Sequence, residues 1–139
     1  MRVGYVCGMK KILPRAAYCI SFATGILLIF IGFRFLLDPT TAEAAFGIQV
    51  PTHGNYSFHY IKGIRDLAVG LLTIVLLLTK EFRALGWMML CMTIIPTTDL
   101  LIVLNSAGHQ TDKLYAHLTA VIICLGMGGY YLGRRALKL

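Results

Sequence analysis

Residues Tyr60 to Thr79 read YIKGIRDLAVGLLTIVLLLT. At about 1.5 Å per residue, a helix of this length reaches about 30 Å, the thickness of a bilayer's hydrocarbon core. Its second half, after Gly70, is Leu, Ile, Val and Thr, but its first half carries Lys62, Arg65 and Asp66. On a translocon scale a central Asp, Lys or Arg costs about 2.5 to 3.5 kcal/mol, and each Leu, Ile or Val returns about 0.3 to 0.6 kcal/mol. Three central charges would therefore cost roughly 8 kcal/mol against about 5 returned, so this helix inserts marginally on its own. Placing the charges near one surface reduces the penalty, and carboxylates inside a bilayer must pair, be protonated or face a wet cavity.

Three further apolar segments flank this one. They run from Ala16 to Leu37, from Ala84 to Leu104 and from Leu114 to Leu132. The whole chain of 139 residues is 58% apolar and 14% charged, with a mean hydropathy of +0.75. A soluble domain has about 45 to 50% apolar and about 25% charged residues, so disorder, a disulfide scaffold and an ordinary cytosolic enzyme are excluded. The expectation is an all-α polytopic membrane protein: one domain over residues 1–139, an antiparallel bundle of four transmembrane helices, with an outer loop at 38–59. A secretory leader is the rival for the first segment, but its apolar run is long for one and Ala42-Glu43-Ala44 lies beyond Arg34, Asp38 and Pro39.

The net charge of +7 would suggest nucleic acid in a soluble protein. Sorted by side of the bilayer, it becomes a topology. Arg2, Lys10, Lys11, Arg15, Arg134, Arg135 and Lys138 sit at the termini, and Lys80 and Arg83 in the second connection share their side. Arg34, Lys62, Arg65 and Lys113 fall on the other, so both termini are expected in the cytoplasm and no nucleic acid is expected as a partner. Trp87, Tyr130 and Tyr131 then form an inner aromatic belt, with Tyr56, Tyr60 and Tyr115 an outer one. The membrane itself would be the plasma or inner membrane of a bacterium, or an endomembrane of a eukaryote.

In the outer connection, Thr40-Thr41-Ala42-Glu43 has capping-box spacing, Pro39 precedes it and Gly47 can close a short helix through Ala44, Ala45 and Phe46. Such a helix would lie on the membrane surface, as a plain connector or as a cap over the space between the spans.

Counting inward from the outer surface, Asp66 lies about 9 Å deep, Asp99 about 8 Å and His117 about 5 Å, with Arg34 at a similar depth to His117. Antiparallel packing brings Arg34, Arg65, Asp66, Asp99 and His117 into one layer. Lys62, Arg65 and Arg34 have stems long enough to lift their charge to the interface, whereas the two Asp do not. Gly63, Asp66 and Gly70 share a face at spacings of three and four, which lets another helix come close. Pro96 frees the carbonyl of Met92 and should kink the third span just before Thr97, Thr98 and Asp99. The candidate catalytic residues are thus Asp66, Asp99 and His117, and the candidate ligand-binding residues are Arg65, Arg34 and Thr98.

Ala17, Ser21 and Gly25 recur every four residues on the first span, and Gly129 and Gly133 end the last. Either pattern can pack helices within the chain or join copies into a homo-oligomer. Cys19, Cys91 and Cys124 have no ligand spacing and read as apolar fillers. With no metal-ligand spacing, nucleotide motif or Gly-rich phosphate loop, neither a metal nor a cofactor is expected.

The order Arg34-Phe35-Leu36-Leu37, Pro39, Ala44-Ala45-Phe46-Gly47, Lys62-Gly63-Ile64-Arg65-Asp66-Leu67, Pro96 through Asp99 and His117 resembles a family of small four-span membrane proteins, the domain-of-unknown-function family 4267. Its most specific element is the Gly-x-Arg-Asp opening of the second span. The resemblance implies the four-span architecture and groups Arg65, Asp66, Asp99 and His117 as a set.

Three functions compete. Two carboxylates and an imidazole at one depth suit a site that binds a small apolar or lipid-like molecule and does acid/base chemistry on it. Proton- or ion-linked transport would use the same residues but also needs polar groups in the inner half, where Leu71 to Leu78 and Val121 to Leu125 offer almost none. In the third reading the ion pairs only fix helix register in a structural or accessory subunit.

Overall fold

The computed structural model describes residues 3–106 and 111–133, with side-chain surroundings from Leu13 onward. Among them the only regular secondary structure is α-helix. The elements are α1 (Val3–Leu37), α2 (Pro39–Phe46), α3 (Ser57–Leu78), α4 (Phe82–Met92), α5 (Ile94–Asn105) and α6 (Thr111–Gly133). Three stretches are long and apolar enough to cross a membrane: Leu13–Leu37 within α1, Phe82–Asn105 comprising α4 and α5, and Thr111–Gly133. Helix α3 has 22 residues and a comparable length, but it carries the three charges of its first half. The basic residues Arg2, Arg134, Arg135 and Lys138, used above to orient the chain, lie outside the described residues, as do the side chains of Lys10 and Lys11.

The helices pair as α1 with α3 and as α4 and α5 with α6. Glycine explains how α1 and α3 come so close. A Cβ added at Gly25 would stand 3.2 Å from the Gly70 carbonyl oxygen, and one at Gly32 would stand 2.7 Å from that of Gly63. Numbers rise along one helix as they fall along the other, so the two are antiparallel and meet backbone to backbone. The face of Gly63, Asp66 and Gly70 is therefore the face α1 covers, and all three residues are buried. On the other pair, Gly128 lies against Leu90 and the Gly86 carbonyl, but Gly129 and Gly133 face open space within this chain.

The third apolar segment is not a continuous helix. It is interrupted at Thr93, upstream of Pro96, because Pro96 has no N–H to offer the Met92 carbonyl. The Thr97 hydroxyl then bonds the Thr93 carbonyl at 2.8 Å, and the Thr93 hydroxyl bonds that of Met89 at 3.0 Å. Both carbonyls also accept from backbone amides, Thr97 N at 3.2 Å and Thr93 N at 3.1 Å, so these bonds satisfy the hydroxyls themselves and not the Met92 carbonyl that Pro96 frees.

At the end where α1 enters and α6 leaves, Ala17, Leu77, Leu85, Met89 and Tyr131 form the buried core. The Tyr131 hydroxyl donates to the Ala17 carbonyl at 3.1 Å and lies 2.9 Å from the Ser21 hydroxyl, while its ring stacks on Phe82 at 5.6 Å. Tyr131 is therefore a core residue and not part of an aromatic belt: the close approach of α6 to α1 at Ala17 and Ser21 leaves it 4% exposed. Trp87, by contrast, is exposed. The exterior is strongly apolar, with Leu37, Phe58 and Ile94 at 81%, 84% and 71% exposure.

Helix α2 forms where expected and ends as expected, with Gly47 in the left-handed region at φ 104°. Its start differs. Asp38 is the N-cap, accepting from the Thr41 amide at 3.2 Å with Pro39 in the first turn, so the Thr40/Glu43 capping box does not form. Asp38 sits one residue before a proline already preset for the helix, and that places the carboxylate at the cap.

Candidate functional site

All the charges of α3 gather at the α2 end of the molecule. Lys62 and Asp66 are one helical turn apart on α3, and the Lys62 Nζ lies 3.0 Å from Asp66 Oδ2. The same ammonium reaches across to α5, 3.4 Å from Asp99 Oδ2. Arg65 closes the set: its Nε donates to Asp66 Oδ1 at 3.1 Å, and its Nη2 stands 3.1 Å from that oxygen and 3.8 Å from Asp99 Oδ2. Two cations thus face two carboxylates, with the Asp66 side chain 7% and the Asp99 side chain 15% exposed. Lys62 also lies over two rings, 4.5 Å from the Phe46 centroid and 5.1 Å from that of Phe35. A desolvated ammonium against aromatic faces gains attraction that water would otherwise supply.

Phe46 belongs to α2, so α2 roofs this quartet. The roof is fastened twice. His117 Nε2 donates to the Phe46 carbonyl at 3.0 Å, and its ring meets the Phe46 ring edge-on at 4.6 Å. On the other side Glu43 of α2 is buried against α3, where its Oε2 lies 2.5 Å from His59 Nε2. The second oxygen of Glu43 accepts from the Val50 amide, which ties the chain after α2 to the same carboxylate. His59 Nδ1 is buried without a hydrogen-bond partner.

Beside α2 a half-open groove of about 870 Å³ runs between α2, residues 48–50, the end of α5 and the start of α6. Ala44, Ala45, Ile48, Val50 and Ile102 give it apolar walls, and Thr41, Gln49, Ser106 and Lys113 supply polar groups. Its volume falls in the range of small-molecule pockets. The groove does not contain the quartet. Gly47 lines it, and the neighbouring Phe46 ring stands over Lys62.

The expected layer is thus divided. Arg65, Asp66 and Asp99 do come together. His117 lies at the roof and bonds α2, not a carboxylate. Arg34 stands apart with its guanidinium 5.9 Å from the Phe30 centroid, and Thr98 is exposed on α5. Three residues were missed as members. Lys62 has the reach to lift its charge to the interface, but the two carboxylates and two rings hold it in the cluster. Glu43 has capping-box spacing, which concealed its real partner. His59 carries no local signal at all, because its partner is 16 residues away on another helix. Outside the spans, the Asp38 carboxyl is held below its ordinary range, first by hydrogen bonds from Thr41, then by Thr40 and the nearby Arg34 charge.

Among the described residues no group of three or more His, Cys, Asp or Glu side chains is arranged to hold a metal ion. A family model described as Domain of unknown function (DUF4267) matches residues 25–131. No curated protein and no solved structure matches the chain.

Proposed function

The chain belongs to the DUF4267 family, and from that premise we propose that it is a four-span integral membrane protein that binds a small, lipid-like molecule beneath and beside α2. Helix α3 is the fourth span in this reading: its two cations meet Asp66 on the same helix and Asp99 on α5, and the formal charges of the quartet sum to zero. Both termini face the cytoplasm, which puts α2 and the quartet in the outer half. The carrying observation is that α2 adjoins both features: Phe46 lies over Lys62 of the buried, balanced set of charges, and the neighbouring Gly47 lines a groove with apolar walls. Intramembrane ionisable groups are costly, and they concentrate where a ligand or proton has to be handled. The groove does not open onto Asp66 or Asp99, so in this reading its apolar walls hold the molecule's apolar part, and acid/base chemistry with either carboxylate would require the Phe46 ring to move aside.

Native mass spectrometry of the gently extracted protein tests this. A co-purifying small molecule is expected, with its occupancy reduced in Asp99→Asn and lost in Ala45→Trp, which fills the groove, while helix content is unchanged. Occupancy indifferent to both substitutions contradicts the reading. One observation favours a structural role: the quartet neutralises itself while tying α3 to α5 through Lys62 and Asp99. In that case Asp66→Asn and Asp99→Asn would both lower the yield of folded protein and would alter nothing else.

A further inference from the structure

Lys113, the third residue of α6, lines the groove, and among the described residues that do so it is the only one that carries a charge. Its stem rests on the end of α2: a Cβ added at Gly47 would stand 2.8 Å from Lys113 Cβ and 3.1 Å from its Cγ. The side chain is 29% exposed, and its ammonium lies 3.3 Å from Asp112 Oδ2 on a side chain 68% exposed. Exposed pairs of this kind are weak and screened by salt, so another anion can take the place of Asp112. Asp112 does not line the groove, so no described carboxylate answers the ammonium there. Lys113 also stands in the first turn of α6, where a cation adds to the positive end of the helix dipole. An anion in the groove would gain from both.

The walls are graded from polar to apolar. The chain leaves α5 at Ser106 and re-enters helix at Thr111, so Ser106 and Lys113 lie at the same end of the paired helices α5 and α6. Ile102 lies one turn back along α5, and it, Ala45 and Val50 are apolar and exposed. A matching molecule has one anionic end and an apolar chain. One ammonium balances one negative charge, with Thr41 and Gln49 as neutral donors in the same lining, whereas a dianionic phosphate monoester would leave a charge unanswered. The volume of about 870 Å³ suits a drug-sized molecule, hence one chain and not two. We infer that the groove is a site for a single-chain carboxylate, with the Lys113 ammonium on the carboxylate and the chain along Ala45, Val50 and Ile102. The inference rests on the groove reading above and names the class of its ligand: a fatty acid.

The test is methyl NMR of the full chain, labelled at Ala and Ile, in phosphatidylcholine nanodiscs at about pH 8.5, where a carboxylate is ionised and a lysine still charged. The Ala45 and Ile102 signals are followed during titration with dodecanoate, 1-dodecanol and dodecyl phosphate. Dodecanoate should shift both saturably, at about a tenth of the bilayer concentration that dodecanol needs, the worth of one charge-assisted hydrogen bond. Lys113→Gln should bring dodecanoate to the level of dodecanol and leave dodecanol unchanged, and Lys113→Arg should keep the preference. Equal affinity for dodecanoate and dodecanol in the wild type, a preference unaltered by Lys113→Gln, or tighter binding of dodecyl phosphate would each overturn the inference. The same shifts in phosphatidylglycerol nanodiscs without any probe would make bulk anionic lipid the occupant and overturn it too. If dodecanol and dodecanoate move the methyls equally, the groove stands and the Lys113 site falls. If no probe moves them, both fall. Should Lys113→Gln fail to fold, the comparison of dodecanoate with dodecanol in the wild type still decides.

Discussion

Lys62 is held at once by Asp66, Asp99 and the rings of Phe35 and Phe46, so its removal or that of a partner has a calculable sign. Asp66→Leu leaves two cations against Asp99 alone in a nearly closed site. Stripping one partner from a buried pair costs about 3 kcal/mol or more, whereas removing charges in matched pairs costs much less. Unfolding in detergent micelles should therefore show Asp66→Leu as strongly destabilised and the double variant Lys62→Met, Asp66→Leu as partly restored. A double variant worse than the sum of the singles would contradict a mutually neutralised quartet. Asp38 gives a pH dependence. Its folded pKa lies below that of an ordinary aspartate, so the charged cap favours α2 above the ordinary value and is lost as pH falls through the lowered one. Helical carbon shifts of residues 39–46 should be constant from neutral pH to about 5 and decline only in stronger acid; Asp38→Ala should show the declined state at every pH.

The elements divide by how local their causes are. The α1–α3 contact is legible from spacing, because Gly63, Asp66 and Gly70 mark a face by helical period alone. Helix α2 is legible from Pro39 and Gly47, since both act on the backbone directly. The Glu43–His59 pair is not legible: it depends on how residues 47–56 fold back, and no periodicity crosses that connection. Near a span's end an aromatic residue such as Tyr131 is expected in the interfacial belt, and only the approach of α6 to α1 makes it core. Three variants test these causes. Gly32→Ala gains roughly 1 kcal/mol of helix propensity, but it places a methyl 2.7 Å from two backbone atoms of α3, so the variant should be destabilised by about 1 to 3 kcal/mol. Gly133→Ala meets nothing and should stay within about 0.5 kcal/mol of wild type. Tyr131→Phe removes the hydroxyl bonded to Ala17 and Ser21 and should cost about 1 kcal/mol in the same assay.

At the scale of the molecule, the apolar exterior and the charged quartet are two sides of one arrangement. Side chains such as Leu37, Phe58 and Ile94 face outward as lipid-facing residues do, and the charges of α3 point to each other and to α5. The groove, the roof helix α2 and the two histidines all lie at that same end, so the proposed binding site requires α3 to cross the bilayer with its charged end outward. Cysteine accessibility measures this directly. In a background where the native cysteines are replaced by serine, Gly54→Cys before α3 and Glu81→Cys after it are treated with a membrane-impermeant maleimide in intact cells and after lysis. Four spans predict that position 54 is labelled from outside and position 81 only after lysis. Labelling of both positions from the same side would show that α3 does not cross, and would contradict the account.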